Sequence, residues 1–205
     1  MKKNHEKSLA AITEWTGTIG WETEHMRQVC RLAQILFDDL KPLHNLTADD
    51  RFLLTAAALA HDVGFMTDED RHHKESFRMI MERDIPGITP IEKTIIALVA
   101  RYHRKSGPKP KHEAWSALPE KDRERVKKLA AILRIADGLD RSHNSAVESV
   151  ECRISEHHVI MHLAARRDIA AEIYGARKKA GLFEEVFSRG VILEPAPSSI
   201  NNKAK

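Results

Sequence analysis

The spacing of apolar residues predicts a mainly α-helical chain up to about residue 140. Apolar residues recur every three or four positions in successive segments, as the buried face of an amphipathic helix requires. Residues 74–84 also have the look of a helix. The clearest members of the other segments are Leu9, Ile12 and Trp15; Val29, Leu32 and Leu36; Phe52, Leu53 and Leu54; Ile95, Ile96 and Val99; and Val126, Leu129 and Leu133.

Proline, glycine and capping residues mark where these helices begin and end. Pro42 ends the second segment, and Thr47 resembles an N-cap that is followed by acidic residues. Thr89 followed by Pro90 is a strong helix start, because proline at the first helical position loses no helical hydrogen bond. The segment around residues 52–60 ends shortly before Gly64, and glycine commonly follows a helix.

Beyond residue 146 the pattern changes from helical spacing to alternation. Residues 147–154 and 159–163 alternate as strands do, with a turn at 155–157. Residues 168–179 return to helical spacing, and 190–193 form a short apolar strand. We therefore expect a helical domain over residues 1–145, a small α+β tail over 146–194 and a flexible end over 195–205.

Composition and charge predict a globular protein of the cytoplasm. The 205 residues are 42% hydrophobic and 31% charged, which is enough to bury one sizeable core. No apolar run approaches the roughly 20 residues that cross a bilayer, and the N-terminus has no secretory signal. Cys30 and Cys152 lie far apart without metal-type spacing, so we expect reduced thiols. The net charge of +3 does not indicate nucleic-acid binding.

A basic segment, residues 101–112, directly follows one predicted helix. Its glycine and two prolines predict a loop. Such a loop either meets an anionic substrate or is an ordinary solvated surface. Its cationic residues are Arg101, Arg104, Lys105, Lys109 and Lys111.

Histidine and aspartate residues stand at the predicted helix ends, where core packing does not require them. His61 and Asp62 are adjacent at one helix end, so both side chains can turn toward one point. The remaining candidates stand at the start or the end of the other predicted helices. The candidate metal ligands are His25, His61, Asp62, His73, His103 and Asp137.

This set of side chains predicts one or two divalent metal ions. Imidazole and carboxylate together suit Mn, Fe, Mg, Co, Ni or Zn, and the lack of thiolate ligands excludes a cysteine-zinc site. Two ions about 3.5–4 Å apart could share Asp62, hold a hydroxide between them and clamp phosphoryl oxygens. The reaction class that this indicates is hydrolysis of a phosphate ester.

The order His, His-Asp and Asp along successive helices resembles the HD superfamily of metal-dependent phosphohydrolases. Residues 24–25, 60–64 and 134–138 carry this resemblance. More narrowly, the chain looks like the C-terminal HD-type region of the exopolyphosphatase and guanosine pentaphosphate phosphohydrolase (Ppx/GppA) family, over nearly its whole length. The segments that carry the narrower likeness are 72–76, 84–87, 100–105 and 133–142.

The resemblance implies roles for individual residues. The first metal would be held by His25, His61, Asp62 and Asp137, and the second by His73 and His103. Relatives often carry a histidine where this chain has Glu75, which leaves open whether His72 or His73 points inward. The implied catalytic residues are Asp62, which bridges or orients the hydroxide, and Arg104, Lys105 and Arg141, which contact phosphate.

The sequence thus predicts a metal-dependent phosphohydrolase acting on a small phosphate ester, a nucleotide or a polyphosphate-like substrate. Exopolyphosphatase activity itself is not carried over, because the sequence has no glycine-rich phosphate loop. The alternative is a non-catalytic module that binds polyphosphate or an alarmone and has a regulatory role. RNA binding is the weakest possibility, since only 5% of residues are aromatic. A strand edge near residues 147–163 would allow a homodimer.

Overall fold

The computed structural model describes residues 3–20 and 23–197. Within these ranges the chain forms ten helices and one three-stranded sheet. The helices are α1 Lys3–Ile19, α2 Thr23–Asp39, α3 Lys41–His44, α4 Ala48–Ala60, α5 His72–Glu82, α6 Pro90–Arg101, α7 Glu113–Ser116, α8 Glu120–Gly138, α9 Ala170–Lys179 and α10 Gly181–Phe187. The strands are β1 Val147–Ile154, β2 His158–Ala165 and β3 Gly190–Pro195.

Helix α4 lies at the centre of the helical part and contacts α1, α2, α6 and α8. Its buried positions include Ala56, Ala57, Ala58 and Ala60. Because alanine side chains are short, neighbouring helices can approach the α4 backbone closely and still fill the space between them. This packing brings the ends of several helices near the C-terminal end of α4.

Two of the helix starts predicted from the sequence are capping boxes. At α4, the hydroxyl of Thr47 accepts from the backbone N–H of Asp50, whose carboxylate accepts from the backbone N–H of Thr47 at 2.8 Å. Thr89 and Glu92 repeat this reciprocal arrangement at α6, with Pro90 as the first helical residue. Each box satisfies backbone donors that a helix start would otherwise leave without partners.

The sheet lies in the C-terminal part of the chain and has β2 at its centre. β1 pairs with β2 antiparallel, whereas β3 pairs with β2 parallel. Helices α9 and α10 form the crossover that a parallel pair requires. The side-chain amide of Gln28 in α2 donates to the carbonyl of Val147 at 2.7 Å, which ties the start of β1 to the helical part.

The prediction of a mainly helical chain with a small α+β tail is confirmed. The sheet extends past the predicted boundary at residue 194, because Pro195 belongs to β3 and the backbone N–H of Ala196 donates to the carbonyl of Leu163 at 2.8 Å. Residues 198–205 lie outside the described residues. The domain division at residue 145 stays a prediction. Within the described ranges, no helix is both long enough and apolar enough to span a membrane.

Candidate metal centre

Five helix ends converge on one point beside the C-terminal end of α4. His61 and Asp62 follow α4 directly, and the other side chains come from the starts of α2 and α5 and from the ends of α6 and α8. All six are buried, with exposures of 7% or less. The six are His25, His61, Asp62, His72, His103 and Asp137.

Gly64 determines how α5 approaches this point. A Cβ atom on Gly64 would lie 2.5 Å from the backbone nitrogen of Ser76 and 2.7 Å from the carbonyl oxygen of His72. The backbone N–H of Gly64 also donates to the hydroxyl of Ser76 at 3.0 Å. Glycine is therefore needed here for a close backbone approach, although its φ is not positive.

The four imidazole rings are all held through Nδ1. The Nδ1–H groups of His61, His72 and His103 donate to the backbone carbonyls three residues earlier, at 2.6–2.7 Å. His25 Nδ1 donates to the carboxylate of Asp140 at 2.8 Å. Because carbonyl and carboxylate oxygens only accept, each Nδ1 carries a proton and each Nε2 is the nitrogen left for the centre.

The two carboxylate oxygens of Asp62 face two different groups of ligands. Oδ2 lies 3.6 Å from His61 Nε2 and 3.9 Å from His25 Nε2, and His25 Nε2 is 3.4 Å from Asp137 Oδ1. Oδ1 lies 3.3 Å from His72 Nε2 and 3.4 Å from His103 Nε2. Asp62 therefore stands between the two groups as a bridging carboxylate would.

Buried atoms without partners mark the middle of the centre. Among the described residues, His25 Nε2, His61 Nε2 and Asp62 Oδ1 are buried and have no hydrogen-bond partner. Such atoms are costly in a folded protein unless something satisfies them. Nitrogen and oxygen atoms at mutual distances below 4.8 Å, in the groups His25–His61–Asp62 and Asp62–His72–His103, fit a divalent metal ion.

The electrostatics of the centre are dominated by its two buried aspartates. Burial opposes ionisation of Asp62, but nearby His61 and His103 outweigh it and lower the pKa of this carboxyl to about 2. Burial likewise opposes ionisation of Asp137, yet Lys179 and His25 hold its pKa well below the usual range. Both side chains are therefore carboxylates at neutral pH, as metal ligands must be.

The histidines differ in charge. Burial alone would lower the pKa of His25, but the carboxylates of Asp137 and Asp140 raise it to about 10. Burial lowers the pKa of His72 and, more strongly, that of His103, against the attraction of Asp62. A metal ion bound to His25 would take the place of a proton, whereas His72 and His103 offer neutral rings.

Lys179 is a residue of the centre that the sequence analysis missed. Its ammonium group bonds the carboxylate of Asp137 from the last turn of α9. Gly138 permits this approach, because a Cβ there would lie only 2.4 Å from the Cα of Ala176. Nothing near Lys179 in the sequence marks it, since it is one of three consecutive basic residues at a helix end.

Asp140 and His143 were also missed. Asp140 follows Asp137 by three residues, and this spacing was an available signal that both carboxylates lie on the same side. His143 stacks on the ring of His25, with the two centroids 3.9 Å apart and the planes at 8°. Its left-handed backbone, with φ of 55°, has no clear sequence signal.

Two residues that the sequence proposed for the centre lie elsewhere. His72, and not His73, joins the cluster, because α5 presents consecutive side chains about 100° apart and only one can point inward. His73 instead lines a separate cavity with Lys74 and Arg101. Lys105 does not line the centre either, although its backbone carbonyl accepts from buried Arg134 at 2.6 Å.

The centre opens to solvent through a cavity of about 340 Å³. Arg104 and Arg141, both expected beside phosphate, line it together with Lys179. Arg104 lies across the ring of His72, with its terminal nitrogen 2.9 and 3.0 Å from the two ring nitrogens. The acidic residues Glu69 and Asp70 line the same cavity. A ligand in this cavity therefore meets charges of both signs.

Fold and site together define a class: helical proteins with a buried centre of histidine and aspartate side chains suited to divalent metal ions. The family model of the Ppx/GppA phosphatase, domain III, matches residues 11–173. Because the match covers most of the chain, the chain belongs to the Ppx/GppA phosphatase family. All six residues of the centre lie within the matched range.

Proposed function

We propose that this chain is a metal-dependent phosphohydrolase of the HD type. Its substrate would be a small phosphate ester, a nucleotide or a polyphosphate-like molecule, and its location the cytoplasm. The observation that carries the proposal is the convergence of four Nε2 atoms on the two carboxylate oxygens of Asp62, with every Nδ1 already engaged. Membership of a phosphatase family supports the same reaction class.

The residues present fit one or two divalent ions. One ion would be held by His25, His61, Asp62 and Asp137, and a second by Asp62, His72 and His103. Such ions, with Mn, Fe, Mg, Co, Ni and Zn as the candidates, would supply Lewis acidity and a water of lowered pKa. The absence of cysteine from both groups excludes a structural zinc-thiolate site at this position.

The remaining side chains of the cavity would bind and orient the substrate. Arg104, Arg141 and Lys179 are cations at the mouth of the centre, and fixed cations match phosphoryl oxygens. The backbone carbonyls behind His61, His72 and His103 hold the Nδ1 protons, so these rings keep the same nitrogen turned inward throughout. Asp62 lies between the two groups of ligands, and from there its carboxylate orients the group that attacks phosphorus.

Metal content is the first test of this proposal. The protein is purified without added metal, and elemental mass spectrometry is applied to the wild type, Asp62→Ala, His72→Ala and His73→Ala. We expect one or two transition-metal ions per chain, with loss in the first two variants. His73→Ala is the matched control, because it removes the adjacent histidine that lies outside the cluster.

The second test is activity on a panel of phosphomonoesters, phosphodiesters and nucleotides, each with Mn, Mg, Co and Ni. We expect hydrolysis that depends on the metal and is lost in Asp62→Ala with the fold intact by circular dichroism. Full activity in that variant would overturn the mechanism. Stoichiometric metal without hydrolysis of any substrate would count against the proposed enzymatic function.

One observation favours the rival function, a non-catalytic module that binds polyphosphate or an alarmone. The ammonium group of Lys179 already neutralises Asp137, so the centre has an internal cation where a metal ligand is needed. In that case the isolated protein holds no metal, and reconstitution with each ion leaves the panel unreacted. The metal measurement therefore separates the two functions directly.

A further inference from the structure

A second cavity, of about 300 Å³, lies beside the metal centre and shares none of its lining residues. It is formed by the start of α5, the end of α6 and the loop of residues 103–112. Neighbouring residues of the sequence line different cavities. His72 and His103 line the cavity of the metal centre, whereas His73 and Tyr102 line the second cavity. We call the second cavity the basic pocket.

Every charged residue that lines the basic pocket is a cation. No carboxylate lines it, and none of these cations lies within 4.0 Å of a carboxylate oxygen among the residues that the structure describes. The guanidinium of Arg101 lies over the ring of Phe77, which does not neutralise its charge. Charges of one sign gathered without acidic partners repel each other, and a bound anion relieves that repulsion. The cations are Lys74, Arg101, Lys109 and Lys111.

His112 adds a neutral hydrogen-bond donor. Its Nδ1 accepts from the backbone N–H of Lys109 at 3.2 Å and lies 2.8 Å from the hydroxyl of Tyr102. Because a backbone N–H only donates, Nδ1 carries no proton, and the neutral ring must carry its proton on Nε2. Burial and the neighbouring Arg101 lower the pKa of His112, so the ring stays neutral among the lysines.

His73 adds a buried polar group to the wall of the pocket. The residue is buried in the wall of the pocket, with 7% of its surface exposed. Its Nδ1 is buried and has no hydrogen-bond partner among the described residues. A buried polar atom without a partner carries a free-energy cost, and here it belongs to a residue that lines the pocket.

The loop that carries Lys109 and Lys111 is anchored before any ligand arrives. The guanidinium of buried Arg134 donates to the carbonyls of Tyr102 and Lys105 at 2.7 and 2.6 Å. The hydroxyl of Ser116 donates to the carbonyl of Pro110 at 2.5 Å. An anion that binds here therefore meets a preformed surface and does not have to order a flexible segment.

We propose that the basic pocket is a second anion site, which binds the phosphate group of a free phosphate or of a small phosphorylated molecule. It uses the charges of Lys74, Arg101 and Lys109 and does not depend on the metal centre. A phosphoryl group is the matching ligand because it presents several acceptor oxygens and two negative charges to a pocket whose charged residues are all cations.

The test measures anion binding without metal and without hydrolysis, so its result is independent of the proposed enzyme function. The full chain is stripped of metal, exchanged into chelator-free buffer and titrated with inorganic phosphate, pyrophosphate and ADP. Binding is followed by calorimetry and by the amide NMR shifts of the non-proline residues between 105 and 112. Equal affinity for pyrophosphate and ADP indicates that only phosphate is recognised, and tighter ADP binding indicates a nucleotide as the source.

Charge-reversal variants locate the site. Lys109→Glu and Lys74→Glu change exposed side chains, and each should weaken pyrophosphate binding at least about tenfold. Lys7→Glu makes the same change of charge on the exposed face of α1 and should bind as the wild type does. Unchanged amide shifts in residues 105–112, or equal affinity in Lys109→Glu and Lys7→Glu, would overturn the proposal.

Discussion

The metal centre and the basic pocket are neighbours with opposite electrostatic design. The centre buries Asp62 and Asp137 among histidines, whereas the basic pocket has cations and no carboxylate among its described lining residues. Histidine occurs in both, so histidine content alone does not distinguish them. Under our two proposals, the site with carboxylates would favour a metal cation and the site without them a phosphate-type anion.

The largest expected effect comes from Asp62→Asn, which should disable the metal centre and leave the basic pocket unchanged. This substitution keeps the shape of the side chain but removes the negative charge that the histidines on both sides of Asp62 face. We expect metal loss and a fall in hydrolysis of about 1000-fold or more, which is the scale for losing a central electrostatic group. Pyrophosphate binding at the basic pocket should stay at the wild-type level. Parallel loss of both bindings would mean that the two sites are not separate.

The second effect concerns the packing beneath the centre. Gly138→Ala places a methyl group 2.4 Å from the Cα of Ala176, so α8 and α9 must separate. We expect unfolding in urea to become easier by about 2 kcal/mol, as overpacking typically costs, together with weaker metal binding. Gly181→Ala is the control, because its Cβ would meet no atom within 4 Å. Equal stability of the two variants would contradict this account.

The third effect concerns the internal cation of the centre. Lys179→Met removes the ammonium group from Asp137 and so frees one carboxylate for metal. We expect metal affinity to rise about tenfold, equivalent to about 1.4 kcal/mol, while KM for a phosphorylated substrate also rises. Lys178→Met is the matched control, since Lys178 lies over the ring of Tyr174 instead. Equal metal affinity in Lys179→Met and Lys178→Met would show that Lys179 does not influence metal binding at the centre.

The smallest effect is a pH dependence of stability remote from both sites. Buried His44 donates from Nε2 to the carbonyl of Phe37 at 2.7 Å and accepts at Nδ1 from the backbone N–H of Leu46 at 2.8 Å. Burial lowers the pKa of His44 below 6.5, so the unfolded chain binds the proton first as pH falls. The stability contribution is therefore complete above pH 6.5 and is lost as pH falls toward the folded pKa.

Replacement of His44 measures this contribution. In metal-free protein, His44→Gln should reduce the slope of unfolding free energy against pH, between pH 5 and 7, by at most about 1.4 kcal/mol per pH unit. His157→Gln, in the exposed turn between β1 and β2, should leave the slope unchanged. An identical slope in the wild type and His44→Gln would show that His44 takes up no extra proton on unfolding.

Much of the fold was predictable because its signals are local. The capping boxes at Thr47 and Thr89 and the alternation in β1 and β2 involve residues close in sequence, and the structure confirms the elements that they predict. Helix ends also carry His25, His61 and His103, and all three are candidate ligands from the sequence alone. A buried polar residue at a helix end is visible in the sequence because it interrupts the apolar pattern.

The rest of the site depends on packing between distant segments. The choice of His72 over His73 depends on how α5 turns against Gly64, which only the close approach to Ser76 determines. Lys179 reaches Asp137 because α9 crosses α8 at Gly138. Helical spacing predicts which residues share a face of one helix, but it does not predict where two helices cross.

The Nδ1 bonds of the four histidines imply an order in which the centre can assemble during synthesis. His61, His72 and His103 are oriented by carbonyls only three residues away, so these rings can be set once the chain has emerged to about residue 103. His25 depends on Asp140, which is made 115 positions later. The ring orientations of His61, His72 and His103 can therefore be set locally on the nascent chain, while that of His25 waits for Asp140.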